Sequence, residues 1–342
     1  MLAQLITRIA PIIPDSTPLE LREVPVPEPG PCEILLEVRA CGVCHTELDE
    51  VEGRTPPDHL PRIPGHQVVG RLVRAGPGAD RYQPGERLGV AWIFSACGAC
   101  PACLRGDENL CPEFKATGRD ADGGYAQFMV VSQDYAIPIP SSIPDTAAAP
   151  LLCAGAVGYR ALYLSGMKDG LSLGFSGFGA SAHLVLQLAR VLYPRSPFFV
   201  FSRSPQECTF ALELGAQWAG SFEDTPPTLL DRIIDTTPAW QPVLTSLSRL
   251  APGGRLVINA IRKEEADRPL LLGLDYASQL WQEKEIKSVA NVTRKDVHRF
   301  LELAASIPIR PEVQAYPLEA ANTALLELKR RQIRGAKVLV FK

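Results

Sequence analysis

Four cysteines within fifteen residues constrain this chain more than any other feature. They run Cys97-x-x-Cys100-x-x-Cys103-x7-Cys111, on a loop that contains Pro and Gly and few apolar side chains. Such a loop cannot bury enough apolar surface to fold alone, but four thiolates can close a tetrahedral all-sulfur zinc site with no open position. Metal binding of this kind contributes on the order of 10 kcal/mol in small peptides. Four unligated buried cysteines and an iron–sulfur cluster are the alternatives left open by the spacing. A closed site of either kind stabilises and does no chemistry, so the chemistry has to be sought elsewhere.

The remaining cysteines are five, which makes an odd total of nine, unevenly spread. A secreted disulfide framework would look different, and a reducing cytoplasm with metal-bound thiolates is expected. The net charge of -3 offers no basic field, so neither nucleic acid nor an anionic membrane surface is an expected partner. No apolar run reaches the roughly 18 residues that span a bilayer. The first fourteen residues are interrupted by Arg8, Pro11 and Pro14 and are expected to open with a strand, not a signal peptide.

The 342 residues allow two domains. Residues 1–154 read as mainly β, with alternating runs at Ile34–Val38, Val68–Leu72 and Tyr125–Val131 between Pro- and Gly-rich turns. A small lobe at about 95–113 carries the four cysteines. From 155 to 293, strands (Ser172–Phe175, Phe198–Phe201, Arg232–Asp235, Arg255–Ile258) alternate with helical patterns (Ala182–Leu192, Pro205–Leu214). That alternation predicts an α/β, doubly wound parallel sheet. Residues 294–342 hold helices near Lys295–Ala305 and Leu318–Arg331 and a strand at Lys337–Phe341, and are expected to return to the first domain.

A second constellation is scattered. Cys44 lies in Cys41-Gly42-Val43-Cys44-His45-Thr46-Glu47, His66 follows Pro64-Gly65, and Cys153 sits in Leu152-Cys153-Ala154-Gly155. Two thiolates and one imidazole make the open three-ligand site of a catalytic zinc. With the lobe ending in Gly106-Asp107-Glu108-Asn109-Leu110-Cys111, and with Asp122-Gly123-Gly124-Tyr125, these motifs stand in one order and spacing. In this the chain resembles the zinc-dependent alcohol dehydrogenases of the medium-chain dehydrogenase/reductase superfamily, over nearly its whole length.

The resemblance implies a GroES-like catalytic domain, a Rossmann-type domain, and two zinc ions per chain. It implies that Cys44, His66 and Cys153 hold the catalytic zinc and the four lobe cysteines the structural one. Glu47 falls where a carboxylate orients the ligand histidine. Thr46 falls at the hydroxyl that passes the alcohol proton toward the nicotinamide ribose, and His45 at a position facing the cofactor pyrophosphate. Cys32, Cys41 and Cys208 lie outside these roles and are expected to be small apolar fillers.

Three positions depart from the family pattern. Gln67 replaces a glutamate that can approach the zinc. Asp49 stands where a histidine often ends the proton relay; it either accepts the proton or sits in solvent. Val157 replaces a threonine beneath the nicotinamide. Trp92 matches an aromatic of the substrate pocket, with a core tryptophan as the alternative, and Thr55 leaves that pocket without a bulky ring.

The cofactor half opens with Gly177-Phe178-Gly179-Ala180-Ser181-Ala182 after an apolar strand. This G-x-G-x-x-A pattern, between strand and helix, offers backbone N–H groups to a pyrophosphate. His183 reads as packing or capping. Ser204-Pro205-Gln206-Glu207 is a capping box. At the end of the second strand, where NAD-binding relatives carry an acid, stand Ser202 and Arg203. Serine can hydrogen-bond a 2′-phosphate and a guanidinium can pair with it, so NADP(H) is favoured over NAD(H), unless Glu207 supplies the acid.

The expected function is hydride transfer between a primary alcohol, aromatic or medium-chain in scope, and NAD(P), in a cytoplasmic homodimer or homotetramer. The alternatives are a zinc-free double-bond reductase of the same fold, or a non-catalytic zinc-binding or interaction protein. The Cys44, His66, Cys153 set disfavours the first, and the mild acidity and the absence of ribbon-type cysteine spacing disfavour the second.

Overall fold

The structure, a computed structural model, describes residues 1–14, 16–307 and 309–341. Strand Glu33–Val43 organises the first of two units. Its side chains are buried almost throughout, because neighbours cover both faces. On one edge it pairs antiparallel with Val68–Ala75, in a register that sets Cys41 opposite Val68. The other edge is shared, with Phe128–Ser132 along its first half and Ala336–Val340 along its second. The seven-stranded sheet ends in Ala136–Pro138 on one side and Val313–Pro317 on the other. This unit comprises Met1–Ala156, Val292–Ser306 and the chain from Arg310 onward. The opening strand is short, Leu2–Leu5, paired with Glu20–Glu23.

The run expected as a strand from Tyr125 starts only at Phe128. Tyr125 is drawn away because its N–H donates to the Pro64 carbonyl (2.9 Å) and its own carbonyl accepts from Gln4 (2.8 Å). That detour closes the loop around Gly65 and His66. The helix expected from Leu318 begins as a 3-10 turn, Leu318–Ala320, and becomes α-helical over Ala321–Lys329.

The second unit, Val157–Asn291 with Ile307–Ile309, holds a six-stranded sheet. In spatial order its strands are Trp218–Gly220, Phe198–Phe201, Leu173–Ser176, Leu230–Asp235, Leu250–Ile258 and Glu285–Ser288, all parallel. Numbered along the chain this is 3-2-1-4-5-6, the doubly wound order that binds dinucleotides where it reverses, between the first and fourth strands. Continuous apolar runs such as Phe198–Phe201 suit it, since helices cover both faces of a parallel sheet.

One long helical stretch, Asp145–Leu164, was not singled out by the sequence. Its 20 residues are long and apolar enough to cross a membrane, but 61% of its most apolar window is buried inside the protein, as in a core helix. Pro150 interrupts it. Proline lacks the N–H that the regular ladder needs, and the following turn, Leu151–Gly155, is π-helical. Cys153 sits in that turn.

Candidate active site and metal centres

In the lobe, whose cysteines lie in or beside helix Pro101–Leu104 and the 3-10 turn Glu108–Leu110, backbone N–H groups point at sulfur. Cys97 N–H donates to Cys111 Sγ (3.4 Å), Cys100 N–H to Cys97 Sγ (3.3 Å), and Cys103 N–H to Cys100 Sγ (3.5 Å). Cys97 and Cys103 Sγ are 4.0 Å apart, and all four sulfurs lie within 4.8 Å of one another. Zinc–sulfur bonds of about 2.3 Å give tetrahedral edges of about 3.8 Å. The set therefore fits a zinc ion after a small contraction. The N–H of Cys103 helps bring the Cys100 thiol down to about 7, while burial and Cys100 push Cys103 up to about 12. These donors favour thiolate, the form a metal needs.

The second set is assembled from three segments. Strand Glu33–Val43 runs directly into helix His45–Val51, with Cys44 at its N-cap. Glu47, fully buried in the first turn, accepts from Cys44 N–H through Oε2 (2.8 Å) and from His66 Nδ1 through Oε1 (2.7 Å). With Nδ1 so engaged, Nε2 turns toward Cys153 Sγ, 3.2 Å away. The donor atoms of Cys44, His66 and Cys153 all lie within 4.8 Å of one another. Thr46 Oγ1 is 3.6 Å from Cys44 Sγ. Trp92 is buried and presents its ring edge-on to His66 at 4.9 Å, with the Arg119 guanidinium 5.5 Å over its centre.

Electrostatics here favour a cation. The Cys153 thiol holds Cys44 well below the ordinary thiol range despite burial, and the same pairing, with burial, pushes Cys153 up. Burial opposes a charged His66, but Glu47 and Cys44 outweigh it and hold the imidazole well above its usual value. Burial in turn raises Glu47. A buried thiolate thus needs a positive partner, and two thiols plus an oriented imidazole are a donor set that zinc accepts.

The other expected site residues are placed as follows. His45 is exposed and Gln67 buried beside the histidine. Asp49 does not sit in solvent: it is buried, and Arg54 Nε donates to it at 2.6 Å. Cys41 is buried as expected of an apolar filler, but Cys32 is exposed, on a turn with φ 58°, and is not one. Sequence reasoning missed Glu50, one helical turn beyond Glu47. It is fully buried, neither oxygen has a hydrogen-bond partner among the described residues, and burial and Glu47 push its pKa well up. The i, i+3 spacing from a buried acid was the available signal.

In the second unit Gly177 follows the first strand with φ 83°, and a Cβ there would stand 2.9 Å from Thr236 Oγ1. Phe178 is buried edge-on to Phe210 at 5.8 Å, and Gly179 is the N-cap of helix Ala180–Leu192. Val157 is half-buried in helix Ala156–Leu164. His183 is buried with Nδ1 3.2 Å from the Gly179 carbonyl. Arg203 is exposed, whereas Ser202 is buried and its hydroxyl donates to Glu207. The capping box is therefore half-made. Ser204 Oγ accepts from Glu207 N–H (3.3 Å), but the Glu207 carboxylate goes to Ser202, and Ser204 N–H finds Ser202 Oγ (3.1 Å).

Fold and site together define a medium-chain oxidoreductase, and comparison with known proteins agrees. Residues 30–141 match the family described as alcohol dehydrogenase GroES-like domain. The chain is 40% identical over 332 residues to a probable alcohol dehydrogenase, AdhA, of Mycobacterium tuberculosis (strain CDC 1551 / Oshkosh), covering 96% of this chain and 94% of that protein. It is 32% identical over 339 residues to an alcohol dehydrogenase of Geobacillus stearothermophilus, covering 94% and 96%. Among solved structures, a cinnamyl alcohol dehydrogenase from Sorghum bicolor superposes with a TM-score of 0.84 at 25% identity, over 99% of this chain and 97% of that one. The chain belongs to the alcohol dehydrogenases of the medium-chain dehydrogenase/reductase superfamily, NAD(P)-dependent enzymes of alcohols and aldehydes.

Proposed function

We propose that this enzyme interconverts primary alcohols and aldehydes with two zinc ions per chain, one at Cys44, His66 and Cys153 and one at Cys97, Cys100, Cys103 and Cys111. The observation that carries the reading is the pairing of a closed four-thiol set with an open set whose histidine is oriented by a carboxylate. When bound, zinc supplies the Lewis acidity that lowers the pKa of an alcohol oxygen, and NAD(P) the hydride acceptor. Thr46, its hydroxyl beside Cys44, would accept the alcohol proton as it passes its own toward the nicotinamide ribose, and Asp49, held by Arg54, would end the relay. Glu47 keeps Nε2 of His66 turned inward, and Trp92 backs the ring. Gln67 adds no negative charge there. His45, Val157, Gly177, Phe178, Gly179 and Ala180 serve the cofactor. Metal analysis after gentle purification is expected to return two zinc ions per chain; one ion with full activity would sink the two-site reading.

The substrate pocket is proposed to take aromatic and medium-chain alcohols, a reading supported by Thr55 and by the likeness to the sorghum cinnamyl alcohol dehydrogenase. Each methylene that reaches buried apolar surface contributes about 0.8 kcal/mol, roughly fourfold in rate. From ethanol to butanol kcat/KM is expected to hold or rise, and a steep fall would count against this pocket.

NADP(H) is the favoured cofactor in this proposal, on the strength of Arg203 exposed at the strand end with no acid at position 202. A second reading, NAD(H), has one observation in its favour: Glu207 folds back onto Ser202 and brings a carboxylate to the strand end. Wild-type kcat/KM with the two cofactors decides between them. Ser202→Asp with Arg203→Ile is expected to shift preference toward NAD(H); a wild type already favouring NAD(H) tenfold would hand the role to Glu207.

A homodimer or homotetramer is proposed because strand Glu285–Ser288, wholly exposed, ends the parallel sheet, and Leu272 (93% exposed) and Trp281 (60%) lie just before it. Nine cysteines, none in a disulfide and six of them proposed as zinc ligands, support a reducing, cytoplasmic setting.

A further inference from the structure

Helix Arg294–Ser306 is gripped at its first residue by the four-cysteine lobe. Glu108 lies between Cys103 and Cys111 and is buried. Its Oε1 accepts from the Arg294 backbone N–H (2.8 Å) and Nε (3.0 Å), and its Oε2 from the guanidinium Nη2 (2.7 Å). One carboxylate thus caps the helix and pairs with its first side chain. The same guanidinium lies 4.5 Å over the Tyr135 ring, and Tyr135 in turn exchanges hydrogen bonds with both backbone groups of Ala96, the residue before Cys97. Two separate grips therefore join the start of this helix to the lobe. Thr293 and Asp296 stiffen that start: Asp296 Oδ2 accepts from Thr293 N–H (2.9 Å) and Oγ1 (2.7 Å), and Asp296 N–H donates back to Thr293 Oγ1 (3.2 Å).

Six residues further along, about 9 Å of helix, Phe300 is fully buried against Gly155. A Cβ on Gly155 would stand 2.1 Å from Phe300 Cε1. Gly155 closes the π-helical turn that carries Cys153, so the ring sits on the backbone of that turn with no slack. We propose that Arg294 and Phe300 are positioning residues through which the four-cysteine lobe sets the place of Cys153. Nothing in the chemistry requires the lobe near the open site; a rigid helix held at its first residue by the lobe and seated at its middle on the Cys153 turn supplies a reason. The proposal rests on the reading of Cys153 as a ligand of the catalytic metal.

The test uses the full chain with zinc in the lobe and Co²⁺ in the open site, followed by the thiolate-to-cobalt absorption band and its decay into excess chelator. Glu108→Gln keeps the shape but weakens the pair, and Gly155→Ala pushes the turn off the ring without touching the lobe. Each is expected to release cobalt about tenfold faster, the size typical of losing an outer support of a metal ligand, with lobe zinc retained by analysis. Gly155→Ala combined with Phe300→Leu makes room for the new methyl and is expected to restore the slow rate. Wild-type release from either single variant, or no recovery in the double, overturns the proposal. Cys153→Ser is the separate control: with Cys44 left as the one thiolate the band is expected to fall to about half, and if it keeps its full intensity the ligand assignment itself is wrong, whatever the other variants do.

Discussion

Cys153→Ser is expected to lower kcat/KM by at least about a thousandfold while the chain stays folded. In the proposed site the thiol is one of three donors, and a serine hydroxyl is not deprotonated by the pairing that keeps charge there. Lewis-acid help worth several kcal/mol corresponds to three or more decades in rate. Stability should barely move, because Cys153 lies in a buried turn whose neighbours Leu151, Leu152 and Ala156 keep their packing. A change of about 1 kcal/mol would shift the unfolding midpoint by only about 2–4 °C. Steady-state rates with one alcohol, beside a thermal melt, check both halves. Activity within tenfold of wild type would remove Cys153 from the mechanism.

The opposite split is expected for Cys100→Ser. The lobe has almost no apolar core to fall back on: Leu104 is 75% exposed, Leu110 52%, and helix Pro101–Leu104 has no buried residue. Opening a closed four-thiol site there forfeits several kcal/mol of a metal contribution on the order of 10. The melt should fall by about 10 °C or more, and zinc content should drop to one ion per chain. If instead Cys100→Ser kills turnover in a stable protein and Cys153→Ser melts it, the two sites have exchanged roles.

Much of this architecture was legible because it is written in local pattern. The strand–glycine–helix sequence around Gly177 needs no long-range information, and neither does the alternation from Ile34 to Val38. The lobe was legible because its four donors are close in sequence. What escaped depends on contacts between distant segments. Tyr125 has a strand-like sequence but is claimed by Pro64 and Gln4. Glu207 looks like half of a capping box, yet Ser202 competes for its carboxylate and wins. Pro150 signals a helix end, but the helix continues through a widened turn because the apolar residues on both sides remain buried. The pair Glu108–Arg294 spans 186 residues, a separation at which composition and spacing carry no information.

The spread of the donors along the chain has a consequence in time. The closed set is complete once residue 111 has emerged, whereas the open set must wait for residue 153. The helix that seats the Cys153 turn begins only at Arg294, roughly 140 residues later, or on the order of ten seconds at ordinary rates of synthesis. In the two-zinc reading the nascent chain would therefore capture its stabilising ion early, through a short loop that closes cheaply. The proposed reactive centre would take its final shape only once that helix has been made.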